Sequence, residues 1–121
     1  MAQPAAYVSL HDKTVTLPND KNELSHTFRF DAPDVDAGVK SVLSFVADPF
    51  GDNTVSLEWD LNGTNILTNG FNTAEARALQ EVVGKDLLLA QDNVLEVRVT
   101  DTDGTGLIKL DDVVLLYTQS A

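Results

Sequence analysis

The segment NVLEVRVTDTDGTGLIKLDDVVLLY, Asn93 to Tyr117, decides the fold. Its first part alternates, with Leu95, Val97 and Val99 on one face and Glu96 and Arg98 on the other, the period of a half-buried strand. Its last part is a second strand-like run that ends in five apolar residues, Val113 to Tyr117. The connection between them is rich in Asp and Gly, residues that suit tight turns. The segment therefore predicts a β-hairpin that closes a sheet.

The same period recurs upstream. In Thr54–Leu61, Val55, Leu57, Trp59 and Leu61 share one face, and Ser56, Glu58 and Asp60 share the other. Asn62-Gly63 follows, a dipeptide that favours the type I′ turn of a two-residue hairpin, with Thr64 to Leu67 as the return strand. Ser25 to Asp31 places Phe28 and Phe30 inward and Thr27 and Arg29 outward. Lys40 to Ala47 is apolar on both faces, which predicts a central strand covered on each side. Tyr7 to Leu10 and Thr14 to Leu17 read as short edge strands, the second halted by Pro18. One segment departs from the pattern. In Thr73 to Val83, Ala76, Leu79, Val82 and Val83 fall at helical spacing, with Asn72 and Glu75 as a capping box and Gly84 at the left-handed C-terminal position. The expectation is an all-β chain, an antiparallel two-sheet β-sandwich formed by residues 1–121 as one domain, with one short helix near residues 73–83.

Charge narrows the partners. The 121 residues hold 19 acidic and 8 basic side chains, a net charge of -11. Such a surface repels phosphate backbones and anionic headgroups, which excludes nucleic acid and membrane surfaces as expected partners. Absence of cysteine removes disulfide and thiolate chemistry. The first ten residues, MAQPAAYVSL, hold no basic n-region and no long apolar run, so the expected location is cytoplasmic.

A resemblance follows from three stretches. LEWDLNGTNIL (Leu57–Leu67), then DNVLEVRVT, then IKLDDVVLLY resemble the second half of galactose-binding-like jelly-roll domains, in which a tryptophan-bearing strand leads to an Asn-Gly turn. An Asn-x-Leu-x-Val strand then precedes a final strand with an Asp before its apolar run. The resemblance covers about half the chain and implies a jelly roll and carbohydrate binding, as in lectin-like modules; fold alone does not deliver function.

A second pattern overlaps the last hairpin. Asp101, Asp103 and Thr105, with Gly106 sixth and Asp112 twelfth, match an EF-hand-like loop, and DTDGTGLIKLDD also resembles a dockerin repeat. Alternating oxygens around a Gly-permitted bend can wrap a hard cation, so Asp101, Asp103 and Asp112 are the expected Ca²⁺ ligands. Against this, Thr105 stands where an acid is usual, Asp112 where Glu is usual, and Lys109 at the ninth position repels a cation. The competing reading is a tight hairpin turn with Asp-capped backbone.

Ligand contacts are expected at DPFGDN, where Phe50 lies among Asp48, Asp52 and Asn53. A sugar site requires a flat apolar face beside short hydrogen-bonding groups, and loops carried by a rigid scaffold supply both. Phe50 as a loop anchor is the alternative. Trp59 lies in phase with Leu57 and Leu61 and reads as core, and Phe71 beside Asn69 and Asn72 is a weaker sugar contact. Catalysis is not expected: there are two histidines, His11 and His26, and no nucleophile elbow or phosphate loop. A glycosidase-like carboxylate pair is the one conceivable route, and nothing singles out a pair among 19 acids. Two functions remain. The first is a non-catalytic carbohydrate-binding module, assisted by Ca²⁺. The second is an assembly protein, because Val113, Leu115 and Tyr117 on one face and Val114 and Leu116 on the other make a strand whose surplus apolar face would form a homo-oligomer.

Overall fold

Alternating apolar residues become the inner faces of two antiparallel sheets. The computed structural model describes residues 3–11, 14–19, 21, 23–50, 55–71, 76–102 and 107–120; the side chains of His11, Phe50, Asp101, Thr102 and Leu107 fall outside that description. In chain order the strands are β1 (Ala5–His11), β2 (Val15–Leu17), β3 (Ser25–Phe30), β4 (Ser41–Phe50), β5 (Val55–Leu61), β6 (Thr64–Phe71), β7 (Arg77–Val83), β8 (Asn93–Thr102) and β9 (Leu107–Thr118). One sheet runs β1-β9-β4-β7, with β2 also on β9, and the other runs β3-β8-β5-β6. This is the expected jelly-roll β-sandwich.

Trp59 lies at its centre with no exposed surface. Its ring stacks on Phe28 at 6.4 Å between centroids and tilts against Phe45 of the opposite sheet at 4.7 Å. Leu57, Leu61, Leu95, Val97 and Val99 complete the inner face of the four-stranded sheet, as their alternation requires. Leu43, Phe45, Ala47, Val113, Leu115 and Tyr117 face them from the five-stranded sheet. The Tyr117 hydroxyl donates to the Pro33 carbonyl at 3.2 Å, which satisfies the polar tip of a buried ring. Trp59 Nε1 and Asn69 Oδ1 are buried with no hydrogen-bond partner among the described residues.

Two asparagines fix one end. Asn62 (φ 50°) and Gly63 (φ 87°) make the left-handed pair that a two-residue hairpin turn requires, and Leu61 pairs with Thr64 across it. The Asn62 amide donates to the Leu87 carbonyl at 2.9 Å and to Asn93 Oδ1 at 3.0 Å, while its own oxygen accepts from the Val94 N–H at 2.8 Å. Asn93 is fully buried and exchanges hydrogen bonds with the backbone N–H and carbonyl of Leu89 at 2.9 and 2.7 Å. The 84–92 connection is thus tied to the β5–β6 turn by side-chain amides.

Four expectations need correction. The two strands of the 93–117 segment do not form a hairpin: β8 pairs with β3 and β5 in one sheet, and β9 pairs with β1, β2 and β4 in the other, because each strand finds longer partners across the sandwich than the other offers. Residues 77–83 are strand β7, paired with β4 from Val83↔Ser41 to Arg77↔Ala47, and not a helix. Leu79 and Glu81 are half-buried and Val83 buried, whereas Val82 is exposed, so the period realised is two. A free sheet edge on β4 offers hydrogen bonds and an apolar inner face, and this outweighs a helical stripe of four residues. Gly84 accordingly takes no positive φ, and the left-handed residue of that connection is Asp86 (φ 64°). Finally, β4 is central within its sheet but covered on one face only: Val42 and Val46 point outward and are half-buried by their neighbours.

β9 carries a bulge. Its register with β4 shifts between Ser44↔Val114 and Val46↔Asp111, and Asp112 there has φ 53°. On its other flank, β1 ends at His11↔Val113 and β2 begins at Val15↔Leu110, so the first strand is split at the level of the bulge. The Thr14 hydroxyl hydrogen-bonds Asp111 Oδ1 across the break.

Candidate functional site

Strand register determines which connections meet. Phe50, the last residue of β4, pairs with Leu107, the first of β9. Val55, the first residue of β5, pairs with Thr102, the last of β8. The strand ends that flank residues 51–54 and those that flank residues 103–106 therefore lie at the same end of the sandwich. Phe71 also pairs with Val55, which brings the start of the 72–76 connection to this end.

Of the expected ligand residues, Asp48 is half-buried on β4 opposite Lys109, and Phe50 ends that strand. Asp52, Asn53 and Asp103 lie outside the described residues. Asp101 is on β8, paired with Ser56. Asp112 is elsewhere. It sits exposed on the β9 bulge, past Asp111, and each residue from Leu107 onward carries the strand about 3.3 Å further from this end. Asp101 and Asp112 thus stand on strands of different sheets, and Asp103 between them in sequence lies outside the described residues. Among the described residues, no group of three or more His, Asp or Glu side chains is placed to hold a metal ion.

Arg77 spans the two sheets at this end. Paired with Ala47 in one sheet, it lies with its guanidinium 4.7 Å above the ring of Phe71 in the other. It also donates to the Gly70 carbonyl at 3.4 Å. Phe71 is buried beneath it, so it is a packing residue and not an exposed sugar contact.

A polar cluster that sequence reading missed covers the outer face of the four-stranded sheet. Arg98 donates to Glu58 at 2.7 Å, Asp60 at 2.7 Å and Glu96 at 2.9 Å. The hydrogen bond from Arg98 holds the Asp60 carboxyl below its usual value, against a smaller opposing push from burial, and Asn65 adds a further donor. The three carboxylates hold the guanidinium charged and raise its pKa, Asp60 contributing most. The signal was present as outward alternation in Glu58-x-Asp60 and Glu96-x-Arg98, but only the register Glu58↔Arg98 and Asp60↔Glu96 unites them. Three carboxylates converging on one cation are saturated by it, which suits a structural clasp better than a binding site.

A shallow cleft of about 230 Å³ lies at the opposite end, lined by Arg29, Phe30, Asp31, Asp92 and Asn93. Asp31 Oδ1 accepts there from the Asp92 N–H at 2.9 Å, so part of its polar lining is already spent on holding the turn.

The fold defines a class: an acidic jelly-roll β-sandwich. No protein-family model matches the sequence, and no curated protein matches it. Among solved structures, the CBM36-1 domain of a multidomain xylanase from the hindgut metagenome of Trinervitermes trinervoides is similar at a TM-score of 0.60 and 11% identity, covering 98% of this chain and 100% of that one. A CBM36 carbohydrate-binding module in complex with calcium and xylotriose gives 0.52 at 10% identity, covering 94% and 99%. Dimeric latent PorU from Porphyromonas gingivalis gives 0.60 at 14% identity, covering 79% of this chain, which spans only 10% of that protein. At such identities the likeness is one of fold, a β-sandwich of the kind found in carbohydrate-binding modules.

Proposed function

We propose that this chain is a non-catalytic carbohydrate-binding module with its glycan site at the end where β4, β5, β8 and β9 terminate. The observation that carries this reading is the register Phe50↔Leu107 and Val55↔Thr102, which brings to one end the strand termini that flank the oxygen-rich residues 51–54 and 103–106. The similarity in fold to modules of that kind along nearly their full length adds support. Phe50 would offer a ring face to the sugar, and Asp48, Asp52 and Asn53 would accept from its hydroxyls. Asp101 and Asp103, from the end of β8 and the residues that follow it, would hold a Ca²⁺ ion that orders both connections and offsets their like charge. Asp112 takes no part, since β9 carries it away.

The test is affinity electrophoresis of the intact chain through gels containing neutral soluble polysaccharides, xylan among them, in Ca²⁺ and in chelator. Retardation of the wild type, with at least a tenfold loss of affinity in Phe50→Ala and Asp52→Ala, is the expected result. Unretarded migration in every glycan with Ca²⁺ present overturns the proposal. Retardation that survives the chelator removes the cation and leaves the glycan site.

A further inference from the structure

The outer face of the five-stranded sheet carries an apolar row that is left largely exposed among the described residues. Tyr7 on β1 pairs with Leu116 on β9, Leu116 with Val42 on β4, and Val42 with Val82 on β7, so four apolar side chains stand in line across the sheet. Three of them are well exposed: Tyr7 72%, Val82 62% and Leu116 41%. The adjoining row, Ser9, Val114, Ser44 and Gln80 in the same strand order, carries no charge. In a chain with 19 acids and a net charge of -11, an uncharged band across a whole sheet is where a like-charged molecule can approach most closely.

We infer that this face is a self-association surface whose occupant is a second copy of the chain. A two-fold axis parallel to the strands and between β9 and β4 lays the row on itself. Tyr7 then meets Val82 of the second copy, and Leu116 meets its Val42, a large side chain against a small one in each case. Two sheets stacked at their usual spacing of about 10 Å interdigitate in this way. No carboxylate opposes a carboxylate within these rows. Four strands about 4.8 Å apart and two to three outward rows give a planar face on the order of 400 Å² per copy. That is below the standard interface and fits a weak, concentration-dependent dimer with a dissociation constant on the order of 10–100 μM. A glycan is the poorer occupant, because three of the four side chains are aliphatic and offer no ring to stack on.

The same axis preserves strand direction, so both copies point their β4–β5 and β8–β9 connections the same way. If the proposed glycan site is right, a dimer offers two such sites to one surface, and binding gains by avidity.

Sedimentation equilibrium of the intact chain from about 1 to about 500 μM tests the dimer without any glycan, so its outcome is independent of the glycan proposal. The wild-type mass is expected to rise from monomer towards dimer, and further at high salt as repulsion is screened. Val82→Glu and Leu116→Glu are expected to hold the mass at monomer while keeping a wild-type circular dichroism spectrum. Tyr7→Lys, at the most exposed of the four positions, provides the same reading should either glutamate variant unfold. A wild type that stays monomeric throughout overturns the inference, as does a dimer that survives these substitutions.

Discussion

Trp59 illustrates how far a single residue can be read in advance. Its phase with Leu57 and Leu61 places it in the core from sequence alone, and it is fully buried between Phe28 and Phe45. Trp59→Ala should cost about 3–5 kcal/mol of stability or prevent folding, measured by urea denaturation. Trp59→Phe should cost clearly less, because it also removes the indole N–H that has no partner among the described residues. Arg98 is the opposite case. Two of its three partners, Glu58 and Asp60, belong to a different strand, so the residues around it announce only Glu96. Asp60 has its folded pKa lowered from the ordinary 3.8, so the stability it supplies is present above that value and drains away as pH falls through the lower folded one. Arg98→Met should therefore lower the melting temperature at neutral pH, by leaving the three carboxylates to repel one another. The gap from wild type should close in acid, as Asp60 protonates. A melting-temperature gap that stays constant from neutral pH down to about pH 2 would count against this clasp.

At the level of elements, β7 and β9 show where local pattern stops being decisive. Residues 73–83 combine helical spacing with good helix formers, yet the described part is an edge strand held by seven pairings with β4. A peptide of residues 72–84 should show coil or partial helix by circular dichroism, and no strand signature, since its strand partner is absent. β9 was legible as apolar on both faces, but which face lies inside depends on how the sheets stack. Val113, Leu115 and Tyr117 are inside, and Val114 and Leu116 outside. Leu115→Asp should therefore abolish the cooperative thermal transition, at a cost above about 4 kcal/mol. Leu116→Asp, one residue along, should leave a folded domain with a normal melt.

Over the whole molecule, charge and topology set the behaviour. With a net charge of -11, moderate NaCl should raise the melting temperature by screening repulsion. Ca²⁺ at matched ionic strength should raise it further if the 103–106 connection takes up the ion. At about one hundred times the dissociation constant, linkage gives roughly 2.7 kcal/mol, or several degrees. Identical melts in Ca²⁺ and chelator would remove the cation. Read without coordinates, the chain determined its class, most of its strands, the Asn62-Gly63 turn and the inward set around Trp59. These depend on the period of side chains along an extended backbone and on turn residues, both of which are properties of consecutive positions. Tertiary structure alone decided that residues 77–83 extend, that β8 and β9 part into different sheets with Asp112 on a bulge of the second, that Arg98 meets Glu58 and Asp60, and that Phe50 and Val55 end beside Leu107 and Thr102. Each of these depends on register between strands distant in sequence. A shift of one residue exchanges the two faces of a strand, and only the packing of the whole core selects the register that buries Trp59.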